Sequence, residues 1–323
     1  MKALQILKNR LLRLAGDARP TALQIEVTNA CNFRCQMCPF HGPEKASDRA
    51  VGFMKTEQYR DIVTQFKDFG GLLVIPQGAG ESFLHPEFLD MVEFTKQKLG
   101  LSVAFNTNGA FFTSKTASFL IDREVDEIGF SIHALQPDTF HTITGGDLGP
   151  AEEAVQILVD EKNRRRAKKP FVRVLLVEQL ENRSEVDAYI RRWLPVVNEV
   201  VIQARRIKAG RTLETPRTET RQPCRHLFDT AFIQWDGEMV ICCEDWESQT
   251  SVGNVFDYPF KKLWRSFKMD KYRSTQRAGR YAPPSICRDC EAWAGGKAQV
   301  HDHGFAIEHI TALTRVWRAK DSQ

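Results

Sequence analysis

The 323-residue chain has no apolar run of the roughly 20 residues that a membrane-crossing helix needs. It also has little charge imbalance, with 45 Lys and Arg against 41 Asp and Glu and a formal net charge of +4. So small an excess gives no ground for nucleic-acid binding. No secretory leader opens the sequence, so its eight cysteines are expected in a reducing cytoplasm, as thiolates for metal rather than as disulfides. What remains is a chain long enough, and at 42% hydrophobic apolar enough, to bury one large core or two unequal ones. Residues Met1 to Leu14 are amphipathic and basic. They read as a helix packed across the base of the fold, with a membrane-surface helix as the alternative.

Cys31, Cys35 and Cys38 fall within eight residues, directly after the apolar run Ala22–Val27. Three thiolates can hold three irons of a four-iron, four-sulfur cluster and leave the fourth iron open to a small ligand. Zinc would want a fourth protein ligand, and none is close in sequence. Disulfides fail on parity, and loops this tight would strain them.

Short apolar runs alternate with amphipathic ones. Strands are expected at Ala22–Val27, Leu72–Pro76, Ser102–Asn106, Glu127–Ile132, Val172–Val177 and Glu199–Ala204. Helices are expected between them at Thr56–Phe69, Pro86–Lys98, Ser114–Arg123, Ala151–Arg165 and Ser184–Leu194. Strands joined by crossover helices pair in parallel through right-handed connections. A closed eight-stranded barrel needs roughly 250 residues. About 200 precede the change of pattern near Arg211. An α/β fold with an open, TIM-like partial (β/α)6 barrel is therefore expected. Its chemistry should gather at the carboxyl ends of the strands, where the cysteine loop falls.

The three-cysteine spacing after a first strand resembles the signature of the radical S-adenosylmethionine (radical SAM) superfamily. The resemblance implies that the open iron chelates SAM, which one electron cleaves to a 5′-deoxyadenosyl radical. It also implies roles at other strand ends. Gly78, Gly80 and Glu81 are similar to a Gly-Gly-Glu segment that meets the SAM amino group, with Ala79 interrupting the glycine pair. Asn106 and Asn108 look like ribose-facing residues, although Asn108-Gly109 is also an ordinary turn. Ser131, before His133, resembles a residue near the ribose or carboxylate. His85, before Pro86, reads first as a helix cap.

The other five cysteines lie beyond the expected barrel. Ala231–Trp235, Asp236-Gly237 and Glu238–Cys242 read as a hairpin with a two-residue turn. An amphipathic helix follows near Pro259–Tyr272, and then the pair Cys287 and Cys290. Cys224, Cys242, Cys287 and Cys290, spaced 18, 45 and 3 apart, resemble the twitch form of the SPASM domain, which implies an auxiliary four-iron cluster. A zinc ribbon would use the same four ligands, and only the radical SAM context favours iron. The expected organisation is an N-terminal helix over 1–20, the partial barrel over 21–210 and a small iron–sulfur domain over 211–323.

Strand alternation would turn Cys243 away from the cluster that Cys242 binds. Its plain reading is a small buried hydrophobe. Its chemical reading is a hydrogen donor to a substrate radical. Arg205 and Arg206 end the sixth strand, where one could meet an anionic or polyhydroxylated substrate, take up a proton, or make an ordinary salt bridge. The basic run at Arg164, Arg165, Arg166, Lys168 and Lys169 suits a helix carboxyl end in solvent. Trp235, Trp246 and Trp264 are expected to pack the small domain.

The resemblance implies an oxidoreductase or epimerase acting on a small polar substrate such as a sugar or cyclitol, with flavodoxin or ferredoxin as electron donor. About twenty residues precede the first strand, short of the roughly 50 a peptide-recognition domain would need. That favours a small substrate over a ribosomal peptide. A non-catalytic zinc or iron–sulfur module leaves the open three-cysteine loop unexplained.

Overall fold

The computed structural model describes residues 19–43, 47–207, 211–212, 221–281, 285–288, 290–291, 293, 299–311 and 313–320. The helix expected over Met1 to Leu14 lies outside them. The chain forms two compact units, neither a continuous stretch of sequence. One takes Met1–Ala30, Ser47–Ala104 and Arg221–Asp289; the other takes Cys31–Ala46, Phe105–Thr220 and Cys290–Gln323.

In the first unit, strands β1 (Ala22–Ile25), β2 (Leu73–Ile75) and the first half of β3 (Ser102–Thr107) pair in parallel, with Ala22 opposite Leu73 and Leu73 opposite Ser102. Helices α1 (Thr56–Asp68) and α2 (Phe88–Glu93) connect them. Tyr59, Ile62, Val63 and Phe66 recur at helical spacing along α1, and all four are buried.

The second unit repeats the pattern. Its strands β4 (Glu127–Ser131), β5 (Phe171–Glu178) and β6 (Glu199–Ala204) are also parallel, with Val174 between Phe130 and Val200. Its helices are α3 (Ser114–Asp122), α4 (Pro137–Thr144), α5 (Leu148–Arg164) and α6 (Val186–Trp193). All six expected strands and their crossover helices are present. Helix α4 was not expected. Its apolar residues Phe140 and Ile143 are few, but Pro137 starts it and Gly145, at φ +69°, ends it.

After β6 come the two-residue strands β7 (Arg206–Ile207) and β8 (Arg211–Thr212). In the first unit, α7 (His226–Asp229) leads to the expected hairpin, β9 (Thr230–Ile233) and β10 (Glu238–Val240), with Gly237 at φ +88° in its turn. This hairpin is not separate from the barrel strands. β9 lies parallel to β1 from Ala22–Thr230 to Ile25–Ile233, and β11 (Gly253–Asn254) borders β10. The single helix expected near Pro259–Tyr272 is two, α8 (Phe260–Trp264) and α9 (Phe267–Arg277). They divide at Ser266, whose Oγ accepts from Met269 N at 3.2 Å and so caps α9. The short α10 (Ser285–Arg288) carries Cys287.

In the second unit, β12 (Gln299–Asp302), β13 (Ala306–Ile310) and β14 (Thr314–Ala319) form a meander that lays β14 antiparallel against β6, Thr314 opposite Gln203. No expected strand covers this stretch, which falls within the 211–323 segment assigned above to the iron–sulfur domain. β11 and β12 each have a single partner strand among the described residues, so the sheet does not close. The fold is the open α/β arrangement expected of a partial barrel.

Candidate functional site

The three-cysteine loop sits in the second unit, fastened to the end of α4. Arg34 N donates to the Thr144 carbonyl at 2.9 Å, Gln36 N to Ile143 O at 2.7 Å, and Gln36 Nε2 to Thr142 O at 2.9 Å. The last carbonyls of a helix have no partner within it, so α4 offers a row of acceptors on which the loop is strung. Phe33 packs edge-on against Phe140 of the same helix, ring centres 6.1 Å apart. Gly42 closes the loop from behind. Its N–H donates to Cys38 O at 3.0 Å, and a Cβ there would come within 2.7 Å of the Cys35 and Cys38 carbonyls.

Burial first, and then the Cys31 and Cys38 sulfurs, push the Cys35 thiol up to about 12. A thiol whose ionisation is opposed in this way gains a compensating charge when a cation binds beside it. The donor set fits a cluster held by thiolates. Phe33 N approaches Cys31 Sγ at 3.5 Å, a weak donor to that sulfur.

Other strand-end residues divide between the units. In the second, Asn108 is buried; its Nδ2 donates to Asn32 Oδ1 at 2.8 Å, tying the end of β3 to the cysteine loop. Asn106 lies at the carboxyl end of β3 with its side chain over Gly129, and Ser131 ends β4 opposite Leu175. His133 is buried; its Nδ1 accepts from Val177 N at 3.2 Å, and burial lowers its pKa to about 4, so it is neutral. Arg205 follows β6, and its buried Nε has no hydrogen-bond partner among the described residues. Arg206 opens β7, and its side chain lies outside the described residues.

In the first unit, Gly78 and Gly80 permit close approaches. A Cβ at Gly78 would meet the Glu26 side chain at 2.5 Å, and one at Gly80 would strike the Ala30 carbonyl. Glu81 N donates to Ala30 O at 2.8 Å, and the buried Glu81 carboxylate accepts from Phe83 N at 3.2 Å. His85 is a structural cap, as its plain reading held. Its Nδ1 accepts from Glu87 N at 3.1 Å and its Nε2 meets Met54 O at 2.8 Å.

Sequence reasoning missed Glu26. This buried carboxylate at the end of β1 receives both terminal nitrogens of Arg49 at 2.9 and 3.0 Å, the Ala79 N–H at 2.9 Å and the Trp235 N–H at 3.3 Å. It thus joins β1, the Gly78–Gly80 loop and the β9–β10 turn. An acidic residue among apolar strand positions was the available signal.

Three cysteines of the second set, Cys224, Cys242 and Cys287, belong to the first unit. Burial foremost, and then Cys224, push the Cys287 thiol up to about 11, while nearby Arg221 and Gln276 oppose that rise. Cys224 is raised chiefly by burial, with Cys243 contributing. Cys242 is raised well above its ordinary range, first by a hydrogen bond with Cys243 and then by burial. Glu244 N also donates to Cys242 Sγ at 3.3 Å. Cys290 belongs to the second unit.

Cys243 departs from its expected place. β10 ends at Val240, so strand alternation does not reach it, and the residue is exposed beside Cys242 rather than buried as core. Among the described residues, no three His, Cys, Asp or Glu side chains converge on a single-ion site. Four thiolates are a donor set that a four-iron cluster or a zinc ion can take.

Comparison with known proteins agrees with this chemistry. A model of the radical SAM superfamily matches residues 25–181, and the SPASM model, an iron–sulfur cluster-binding domain, matches residues 224–291. A tungsten-containing aldehyde ferredoxin oxidoreductase cofactor-modifying protein of Pyrococcus furiosus is 26% identical over 320 residues, covering 83% of this chain and 86% of the relative. Two solved structures share the fold. BtrN in complex with AdoMet and 2-DOIA is 19% identical, with a TM-score of 0.57 over 84% of this chain and 93% of that one. Streptococcus suis SuiB bound to the precursor peptide SuiA is 14% identical, with a TM-score of 0.65 over 90% and 73%.

Proposed function

This chain belongs to the radical SAM superfamily and carries an iron–sulfur cluster-binding SPASM domain, and from that premise we propose that it oxidises a small polar molecule of the sugar, cyclitol or aminoglycoside kind. Cys31, Cys35 and Cys38 would hold one cluster, which with bound SAM would supply radical chemistry at an unactivated carbon, and Cys224, Cys242, Cys287 and Cys290 would hold an auxiliary cluster that would supply a second electron-transfer centre.

The observation that carries the oxidation reading is the second thiol set itself. Oxidation removes a hydrogen atom, an electron and a proton that solvent can take; the electron needs an acceptor, and Cys224, Cys242 and Cys287, which share one unit, would be ligands of that centre. A small substrate accords with BtrN, whose structure holds 2-DOIA, and with a P. furiosus relative named for modifying a cofactor. On this reading Gly78, Gly80, Glu81, Asn106, Asn108 and Ser131 hold SAM at the strand ends. Arg205 binds a substrate oxygen. A guanidinium stays protonated in proteins, so the arginine serves as a donor and not as the base. A flavodoxin or ferredoxin would deliver the first electron, in the cytoplasm.

Epimerisation is the second reading, favoured by the exposure of Cys243. The deciding experiment incubates anaerobically reconstituted protein, SAM and a reductant with panels of cyclitols, aminoglycosides and peptides. Oxidation predicts substrate-dependent 5′-deoxyadenosine and a product lighter by two hydrogens from a small polar compound. A product of unchanged mass and inverted configuration would mean epimerisation, and turnover confined to peptides would sink the substrate class.

A further inference from the structure

Gln276 is the next-to-last residue of α9 and is 4% exposed. A buried amide must find partners for both its ends. Here Oε1 accepts from Cys224 N at 2.7 Å, and Nε2 donates to Cys287 Sγ at 3.6 Å. One side chain therefore touches two cysteines that are far apart in sequence.

Its surroundings fix it. Ser266 caps the start of α9. One turn before Gln276, the buried Arg273 donates through Nε to Leu227 O at 3.1 Å and through Nη1 to Trp264 O at 2.8 Å, with its guanidinium 4.1 Å from the centre of the Trp264 ring. The segment just after Cys224 is thereby tied to the same helix. On the other side, Arg221 donates to the Cys287 carbonyl and, at 2.7 Å, to Arg288 O, while stacking on Tyr281. Neither the helix nor the cysteine segments can shift without breaking these bonds.

We propose that Gln276 is a positioning residue that sets the reduction potential of the auxiliary cluster, by donating an N–H to the Cys287 sulfur while its carbonyl anchors Cys224. The inference rests on reading Cys224 and Cys287 as ligands of that cluster. A cluster gains negative charge on reduction, and part of it falls on the ligand sulfurs. An N–H aimed at one of them stabilises the reduced state more than the oxidised one and raises the potential.

The test uses the full chain with Cys31, Cys35 and Cys38 changed to Ala, so that only the auxiliary cluster gives a signal. Its midpoint potential is read by an anaerobic redox titration followed by electron paramagnetic resonance. Gln276→Met removes the N–H without adding charge, and Gln276→Glu removes it while keeping an acceptor for Cys224 N. Both should assemble the cluster at unchanged iron content. In Gln276→Met the ratio of reduced to oxidised cluster at a fixed potential should fall about tenfold, equivalent to about 59 mV for one electron. Gln276→Glu should fall further, because its charge adds to the loss. Full iron with an unchanged midpoint in both variants overturns the proposal, as does loss of the cluster from a folded Gln276→Glu. Cys287→Ala separates the two claims. If that variant keeps its full iron, the ligand reading itself is wrong, whatever Gln276 does.

Discussion

Glu26 and Arg49 form a two-pronged ion pair beneath the Gly78–Gly80 loop, with side chains only 6% and 10% exposed and N–O distances of 2.9 and 3.0 Å. Arg49 Nε also reaches Trp246 O at 3.0 Å, and Ser47 Oγ reaches the same carbonyl at 2.9 Å. One carboxylate thus links the strand that precedes the three-cysteine loop to segments on either side of the hairpin turn. A buried pair of this kind adds little over apolar packing, but breaking it leaves a stranded charge.

Arg49→Met should therefore cost about 3–5 kcal/mol of stability. Chemical denaturation of the reconstituted protein measures it. The double variant Glu26→Gln/Arg49→Met should recover part of the loss, because the stranded charge is gone. A cost below about 1 kcal/mol for Arg49→Met would place the pair with solvated surface bridges instead.

The thiols predict a dependence on pH that metal removes. Cys35 moves from an ordinary 9.0 up to about 12 in the fold. The protonated thiol is the form the metal-free fold favours, so this contribution is fully present below about pH 9 and is lost as pH rises towards about 12. With iron bound, the thiolates are neutralised and this loss disappears. Melting temperatures of metal-free and reconstituted protein should diverge above pH 9, while other titrating groups act on both alike. A gap that stays constant over that range would mean that the thiols are not held together.

Cys243 separates oxidation from epimerisation. If oxidation is correct, Cys243→Ala should form 5′-deoxyadenosine and product at rates within a few-fold of the parent. The parent should place no solvent deuterium on the reacting carbon. Deuterium at an inverted carbon, together with a Cys243→Ala variant that cleaves SAM yet makes no epimer, would transfer the assignment to epimerisation.

Much of this architecture is legible in the sequence, and the rest fails for identifiable reasons. The six parallel strands announce themselves through β-branched runs such as Val172–Val177, because strands covered on both faces need not alternate. The hairpin around Gly237 is legible from its turn. Helix α4 is harder to see, because eight residues with two large apolar side chains barely register as periodic. Yet α4 supplies the carbonyls that hold the cysteine loop. The β12–β14 meander is obscured by polar residues such as His301, Glu308 and Arg315, whose places depend on cross-strand partners that no local window contains. Cys243 was misplaced by extending β10 two residues too far, so the alternation rule was applied where the chain had already left the strand. Glu26 and Gln276 are polar residues whose roles rest on partners distant in sequence, Arg49 and Trp235 for one and Cys224 for the other.

The central claim is that Cys31, Cys35 and Cys38 hold a SAM-cleaving cluster separate from a second one. The most direct measurement pairs iron content with 5′-deoxyadenosine formation in anaerobically reconstituted protein, for the parent and for the variant with all three cysteines changed to Ala. The parent should bind about eight irons, four per cluster, and cleave SAM, while the variant should keep about four and form no 5′-deoxyadenosine. A triple variant that still cleaves SAM, or a parent that takes up zinc in place of iron, would contradict the account.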